Sequence, residues 1–223
     1  MTSPNLRSRP GSDNPLETMA AWFELHSRQV SWGVIGVVAI GGAAWYYVRT
    51  QSLKSERAER AYYAAEQSIA SGNRPLAESD LNKLITRYDG TAAAYEGRLA
   101  LTRLLYDDSK FQEGVAALKK AMPKLESSKD FASPAHLLLA AGYEQLKQFL
   151  AAANEYGAAA KAARFDPDRQ RYEIWSARAY FLGGKVDEAK RIWTELAADS
   201  KGTVAGEARV RLGELVARPA PKS

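Results

Sequence analysis

Between Arg28 and Arg49 lie twenty residues, QVSWGVIGVVAIGGAAWYYV, without a charge. At 1.5 Å per residue a helix of that length reaches about 30 Å, the hydrocarbon thickness of a bilayer. Inside lipid each backbone N–H and C=O must be satisfied within the segment, so the stretch must be helical. Trp32 stands near one end and Trp45, Tyr46 and Tyr47 near the other, as in the aromatic belts where a span meets headgroups. Residues 30–48 are therefore expected to form a single membrane anchor, with the short polar tail and the long remainder on opposite sides of the bilayer.

The flanks refine this expectation. Residues 1–13 carry Pro4, Pro10, Gly11 and several serines with few apolar side chains, which predicts disorder. Asn14, Pro15 and Glu17 then make a helix start with a cap, a proline at the first helical position and a capping-box acid. Leu16, Met19, Ala20, Phe23 and Val30 recur at helical spacing. Residues 14–29 thus fit either an amphipathic helix in the membrane interface or the water-exposed start of the spanning helix. A cleaved signal peptide ending at Ala44 is the competing reading of the apolar run. The length of the run, its continuation through WYYV and the thirty-odd residues before it favour an uncleaved anchor. Arginine and lysine number three before the span, Arg7, Arg9 and Arg28, and four just after it, Arg49, Lys54, Arg57 and Arg60, so charge does not favour the N-terminus inside.

The 175 residues after Val48 suffice for a domain with a substantial core. The formal charge of +5 is dispersed and forms no stripe suited to nucleic acid. No cysteine is present, which excludes disulfides, thiolate metal sites and a cysteine nucleophile, and there are only two histidines, His26 and His136. Phosphate loops, metalloprotease motifs and nucleophile elbows are absent. Asp107, Asp108, Asp166 and Asp168 sit at expected helix ends, where they cap or turn the chain. No cofactor, metal, small-molecule substrate or catalysis is expected.

From about Glu56 to Ala217 the pattern is of consecutive helices with short breaks. The clearest unit is RYEIWSARAYFLGGKVDEAKRIWTELAADS, residues 171–200. Ala177 and Tyr180 hold the small and aromatic positions of a first helix, Gly184 ends it, and Asp187-Glu188-Ala189 opens a second, with Trp193 behind Ala189. This unit resembles a tetratricopeptide repeat. The same frame fits three upstream units, through Ala140, Tyr143, Ala152, Tyr156 and Ala159, through Leu101, Leu105, Phe111, Gly114, Leu118 and Ala121, and through Ala65, Gly72, Ala77, Leu81 and Leu84. The units start near residues 58, 95, 133 and 170, slightly longer than the usual ~34-residue period, with the extra residues between units. A last helix, about Thr203 to Ala217, reads as a cap. The expected fold is all-α, with one N-terminal transmembrane helix followed by a tetratricopeptide-like solenoid of about four helix pairs and a capping helix. Its segments are a tail 1–13, a juxtamembrane helix 14–29, the span 30–48, a connector 49–57, the repeat domain 58–217 and a tail 218–223.

In stacked repeats of this kind the first helix of each pair lines the concave face. Transferring those positions gives Tyr62 and Glu66, then Leu99, Arg103 and Tyr106, then Leu137, Ala141 and Glu144, then Ile174, Arg178 and Phe181. The mixture of aliphatic, aromatic and both charge signs suits a polypeptide segment rather than a nucleic acid. The order of WFELHSRQV, a glycine-rich span ending in WYYV, the SLKSERAERAY connector and four helix pairs resembles the YfgM-like family of bacterial inner-membrane proteins. That resemblance implies an N-terminus in the cytoplasm and repeats in the periplasm. It also implies an adaptor function, with translocon subunits of the SecYEG complex, periplasmic chaperones or emerging secreted chains as partners. A scaffold subunit of another envelope complex, in outer-membrane biogenesis or division, is the alternative.

Overall fold

The computed structural model describes residues 15–199 and 201–217, and among them every regular element is a helix. The expected tails 1–13 and 218–223, together with Asn14, lie outside the described residues. So do the side chains of Leu16, Glu17, Ala20, Phe23 and Val30, which the amphipathic reading of 14–29 uses. The helices are α1 (Pro15–Ala70), α2 (Arg74–Arg87), α3 (Ala92–Asp107), α4 (Phe111–Leu125), α5 (Ala132–Gln145), α6 (Phe149–Ala162), α7 (Asp166–Leu182), α8 (Val186–Ala198) and α9 (Ala205–Ala217). The chain divides into two compact units, Met1–Leu53 and Lys54–Ser223.

In the first unit α1 is apolar and uncovered. Val37 and Ile40 are 71% and 73% exposed, and Trp32, Trp45, Tyr46 and Tyr47 are exposed as well. It is the one helix among the described residues long and apolar enough to cross a membrane. Residues 49–57, read from sequence as a connector, are helical and continue α1. Their composition gives no reason to stop: Leu53, Lys54, Glu56 and Arg57 are good helix formers, and the first glycine after the span is Gly72.

In the second unit, the C-terminal part of α1 with α2, then α3 with α4, α5 with α6 and α7 with α8 form four helix pairs, and α9 follows. Each pair turns in three residues, 71–73, 108–110, 146–148 and 183–185. The middle residue is left-handed in all four: Gly72 (φ 72°), Ser109 (61°), Lys147 (58°) and Gly184 (80°), spaced 37, 38 and 37 residues apart. The residue after it donates its N–H five residues back, Asn73 to Ser68 (3.1 Å), Lys110 to Leu105 (2.8 Å), Gln148 to Tyr143 (2.8 Å) and Lys185 to Tyr180 (2.9 Å). This is the Schellman closure, which satisfies carbonyls that a helix end otherwise leaves open. The links between pairs vary instead, at 88–91, 126–131 and 163–165.

The core runs along the stack as overlapping clusters, each shared by successive helices. Ala58, Ala65, Leu81 and Leu104 join α1 to α3; Leu99, Leu118, Leu125 and Leu139 join α3 to α5. Ala140, Ala153, Tyr156 and Ala179 join α5 to α7, and Ile174, Ala189, Trp193 and Ala208 join α7 to α9. Ala65, Ala77, Ala140, Ala152, Ala177 and Ala189 are fully buried. Alanine at these crossings lets the helix axes approach to the short end of the usual ~8–10 Å. Buried hydroxyls tie neighbouring helices: Ser133 Oγ donates to the Ala159 carbonyl (2.9 Å) and Ser176 Oγ to that of Ala153 (2.8 Å). Gln170, buried in α7, donates to Asp199 Oδ2 (2.9 Å) and accepts from the Thr203 N–H (2.8 Å), pinning the α8–α9 link.

Only two of the four left-handed positions are glycine, and a side chain there costs roughly 1–2 kcal/mol. Lys147→Gly should therefore raise stability by about 1 kcal/mol, while Gly184→Ala, with open space around the added methyl, should lower it by a similar amount. Urea titration of both variants measures this; opposite signs would mean that the turns do not hold the backbone described.

Candidate protein-binding face

The first-helix positions separate into surface and core. Arg103, Glu66 and Arg178 are exposed, and Tyr62, Leu137, Ala141, Glu144 and Phe181 are half-buried. Leu99 (4% exposed) and Ile174 (2%) belong to the core and are not available to a partner, which corrects their placement on the concave face. Each comes first in its triplet, and the helix turns that position toward its own pair.

Tyr106 also serves packing. Its ring fills the space left by two glycines: a methyl on Gly114 would fall 2.5 Å from Cε1, and one on Gly142 would fall 2.1 Å from the hydroxyl. The hydroxyl donates to the Leu138 carbonyl (3.2 Å), joining α3 to α5. Burial, with Tyr143 adding to it, pushes the phenol far above its usual range, so it stays protonated and a donor.

Six of the remaining eight, Tyr62, Glu66, Arg103, Glu144, Arg178 and Phe181, gather in two recesses, and Leu137 and Ala141 line neither. One, of about 470 Å³, is lined by Tyr62, Glu66 and Ile69 of α1 and by Arg103, Leu104 and Asp107 of α3. The other, of about 410 Å³, combines Glu144 of α5, Phe149 of α6, Arg178 and Phe181 of α7, Trp193 of α8 and Leu215 of α9. Its polar wall is a closed network. Arg178 donates to both Glu144 oxygens (2.8 and 3.1 Å), and the Tyr156 hydroxyl donates to Glu144 Oε2 (2.9 Å). Burial, then the adjacent Glu144 carboxylate, raises the Tyr156 phenol well above its normal range. On α9, Arg211 pairs with Glu214 (3.2 Å) and Glu207 (3.7 Å) and lines the same recess with Glu214.

Arg211, Glu214 and Leu215 were missed from sequence because α9 reads as a cap. The signal was present: the 37-residue step from Ile174 and Arg178 lands on Arg211 and Leu215. In this sense α9 is a fifth first helix. A hollow of about 560 Å³ between α2, α3 and α4 gathers none of the first-helix candidates, and two of its three cations, Arg98 and Lys124, are held by Asp89. Asp89 accepts from Lys124 and from Arg98 (2.8 Å), and its carbonyl accepts from Lys54 (2.6 Å). The Lys124 hydrogen bond, with Arg98 beside it, holds the Asp89 carboxyl below the usual carboxylate range.

His136 Nδ1 lies 2.7 Å from Glu155, and Nε2 lies 3.5 Å from Glu126. Among the described residues no cluster of His, Cys, Asp or Glu is placed to hold a metal ion.

Stacked helix pairs, small residues at the crossings and an open face of mixed polarity define a repeat scaffold for binding polypeptide. The chain belongs to the tetratricopeptide repeat-like domain family, which matches residues 20–173, from within α1 into α7. It is thus a non-catalytic protein–protein interaction module preceded by a single apolar helix of the kind that anchors single-pass proteins. No curated protein sequence matches it. Among solved structures it is similar to the kinesin light chain nearly identical TPR-like repeats of Podosopora anserina. That match has a TM-score of 0.55 and 17% identity and covers 72% of this chain and 85% of that one, a likeness of fold alone.

The packing role of Tyr106 is testable by a double-mutant cycle. Tyr106→Phe should cost about 1 kcal/mol through the lost hydroxyl bond, and Gly142→Ala about 1–3 kcal/mol through overpacking. The double variant should lose less than the sum, because removing the hydroxyl relieves the nearest clash. Strict additivity in thermal melts would show that the two sites do not touch.

Proposed function

We propose that this chain is a membrane-anchored adaptor. Residues 30–48 span the inner membrane, the N-terminus is cytoplasmic, and the repeat domain 58–217 lies in the periplasm. There its concave face holds a chaperone or an emerging secreted chain close to the Sec translocon. Tyr62, Glu66, Arg103, Glu144, Arg178 and Phe181 contact the partner. Leu137 and Ala141, half-buried on α5, add apolar contact to it.

The observation that carries this reading is the uncovered apolar surface of α1. Val34, Ile35, Val37, Val38 and Ile40 are each more than half exposed, in a contiguous patch that water does not tolerate and lipid does. The aromatic residues at both ends of that stretch suit the headgroup region. The two recesses offer apolar floors rimmed by charges of both signs, which suit a polypeptide better than a polyanion. The choice of translocon and chaperone rests on the resemblance to YfgM-like proteins in the order of span, connector and repeats.

Protease added to spheroplasts should digest the repeat domain and leave a small membrane fragment containing Trp32. Protection of the domain would overturn the orientation, and a mature N-terminus at Trp45 would overturn the anchor. After mild crosslinking, translocon subunits should lead the co-purified proteins; dominance of outer-membrane assembly or division proteins would replace the partner with a different envelope complex.

A further inference from the structure

The recess closed by α9 is lined by a residue that carries an unbalanced donor. Trp193 is 2% exposed, and its indole N–H is the one buried side-chain polar group among the described residues without a hydrogen-bond partner. A buried donor left unpaired keeps the full cost of its desolvation, and such groups are rare in native proteins. The same indole lines the recess and packs against Phe181, ring centroids 5.8 Å apart.

We infer that this recess takes one bulky apolar side chain of a bound polypeptide, whose neighbouring backbone carbonyl accepts the Trp193 indole N–H. This inference rests on the polypeptide-binding reading above and names its anchor point. Three observations select that occupant. The floor is apolar and aromatic, from Phe149, Phe181, Trp193 and Leu215. The rim carries no unpaired cation, because Arg178 is forked onto Glu144 and Arg211 is divided between Glu214 and Glu207, so no net positive field favours a free carboxylate or phosphate. The surplus group is a neutral donor, which a peptide carbonyl satisfies and a lipid acyl chain does not. Access lies past α9, in which only Ala205 and Ala208 are buried while Leu212 and Leu215 are half-buried. The N–H itself is covered, so the proposed contact requires the C-terminal turns of α9 to shift outward.

The test uses the full chain in lipid nanodiscs with ¹⁵N in its five tryptophan indoles. The Trp193 signal is assigned by its disappearance in Trp193→Phe. Acetyl-Ala-Ala-Phe-Ala-Ala-amide should move that signal saturably and bind at least about tenfold more tightly than acetyl-pentaalanine-amide, as burying a phenyl ring predicts. Leu215→Trp, which fills the recess, should abolish the shift without lowering the melting temperature. An unmoved Trp193 signal, an equal response to pentaalanine, or an equal response to octanoate would each overturn the inference. Partner capture on the intact membrane, read alongside, separates the two readings. If capture still depends on Arg103 while the peptide leaves Trp193 unmoved, the recess inference alone fails. If capture is independent of the whole concave face, the broader reading fails with it.

Discussion

The structure depends on alanine at the helix crossings. A helix pair with a larger side chain at Ala65, Ala140 or Ala177 could not close, and the stack propagates through those closures, because each core cluster is shared by successive helices. No pair buries its apolar face alone, so stability is a sum over neighbours. The four identical turns set the period, and the links between pairs absorb the variation in length.

The candidate binding face is a consequence of that packing. Each first helix turns one edge toward its own pair and leaves the next edge at the surface. Leu99 and Ile174 fall on the inner edge; Arg103 and Arg178, four residues later, fall on the outer one. Where α5, α7 and α9 converge, the charges are spent on one another, through the Arg178–Glu144–Tyr156 network and the Arg211 pairs. Such exposed pairs add little stability, roughly 0–1 kcal/mol each. Their effect is to leave a neutral, apolar recess in a chain of net charge +5.

Much of the fold was legible in the sequence. Ala65, Ala140, Ala177 and Ala189 placed three of the pairs, and Leu101, Leu105, Gly114 and Leu118 in the same frame placed the pair between them. Gly72 and Gly184 marked two turns, but Ser109 and Lys147 occupy the same left-handed conformation without the residue that announces it. The candidate face was legible only to within one helical edge. Residues four apart share a face, so Leu99 and Arg103 look alike in register although one is core and the other surface. Tyr106 was ambiguous because its burial depends on Gly114 and Gly142, in other helices. The continuation of α1 through 49–57 was hidden for a different reason: a polar run of good helix formers reads equally as connector or helix.

Partner contact through the first-helix face is the central claim, and site-specific photocrosslinking tests it most directly. A photoreactive amino acid is placed singly at Glu66, Arg103 and Arg178, and at Lys83, Lys119 and Lys190, which are exposed on second helices. All six are surface positions, so folding is not in question. The account predicts adducts to a common protein partner from the first three and none from the last three. Adducts confined to Lys83, Lys119 and Lys190 would contradict it.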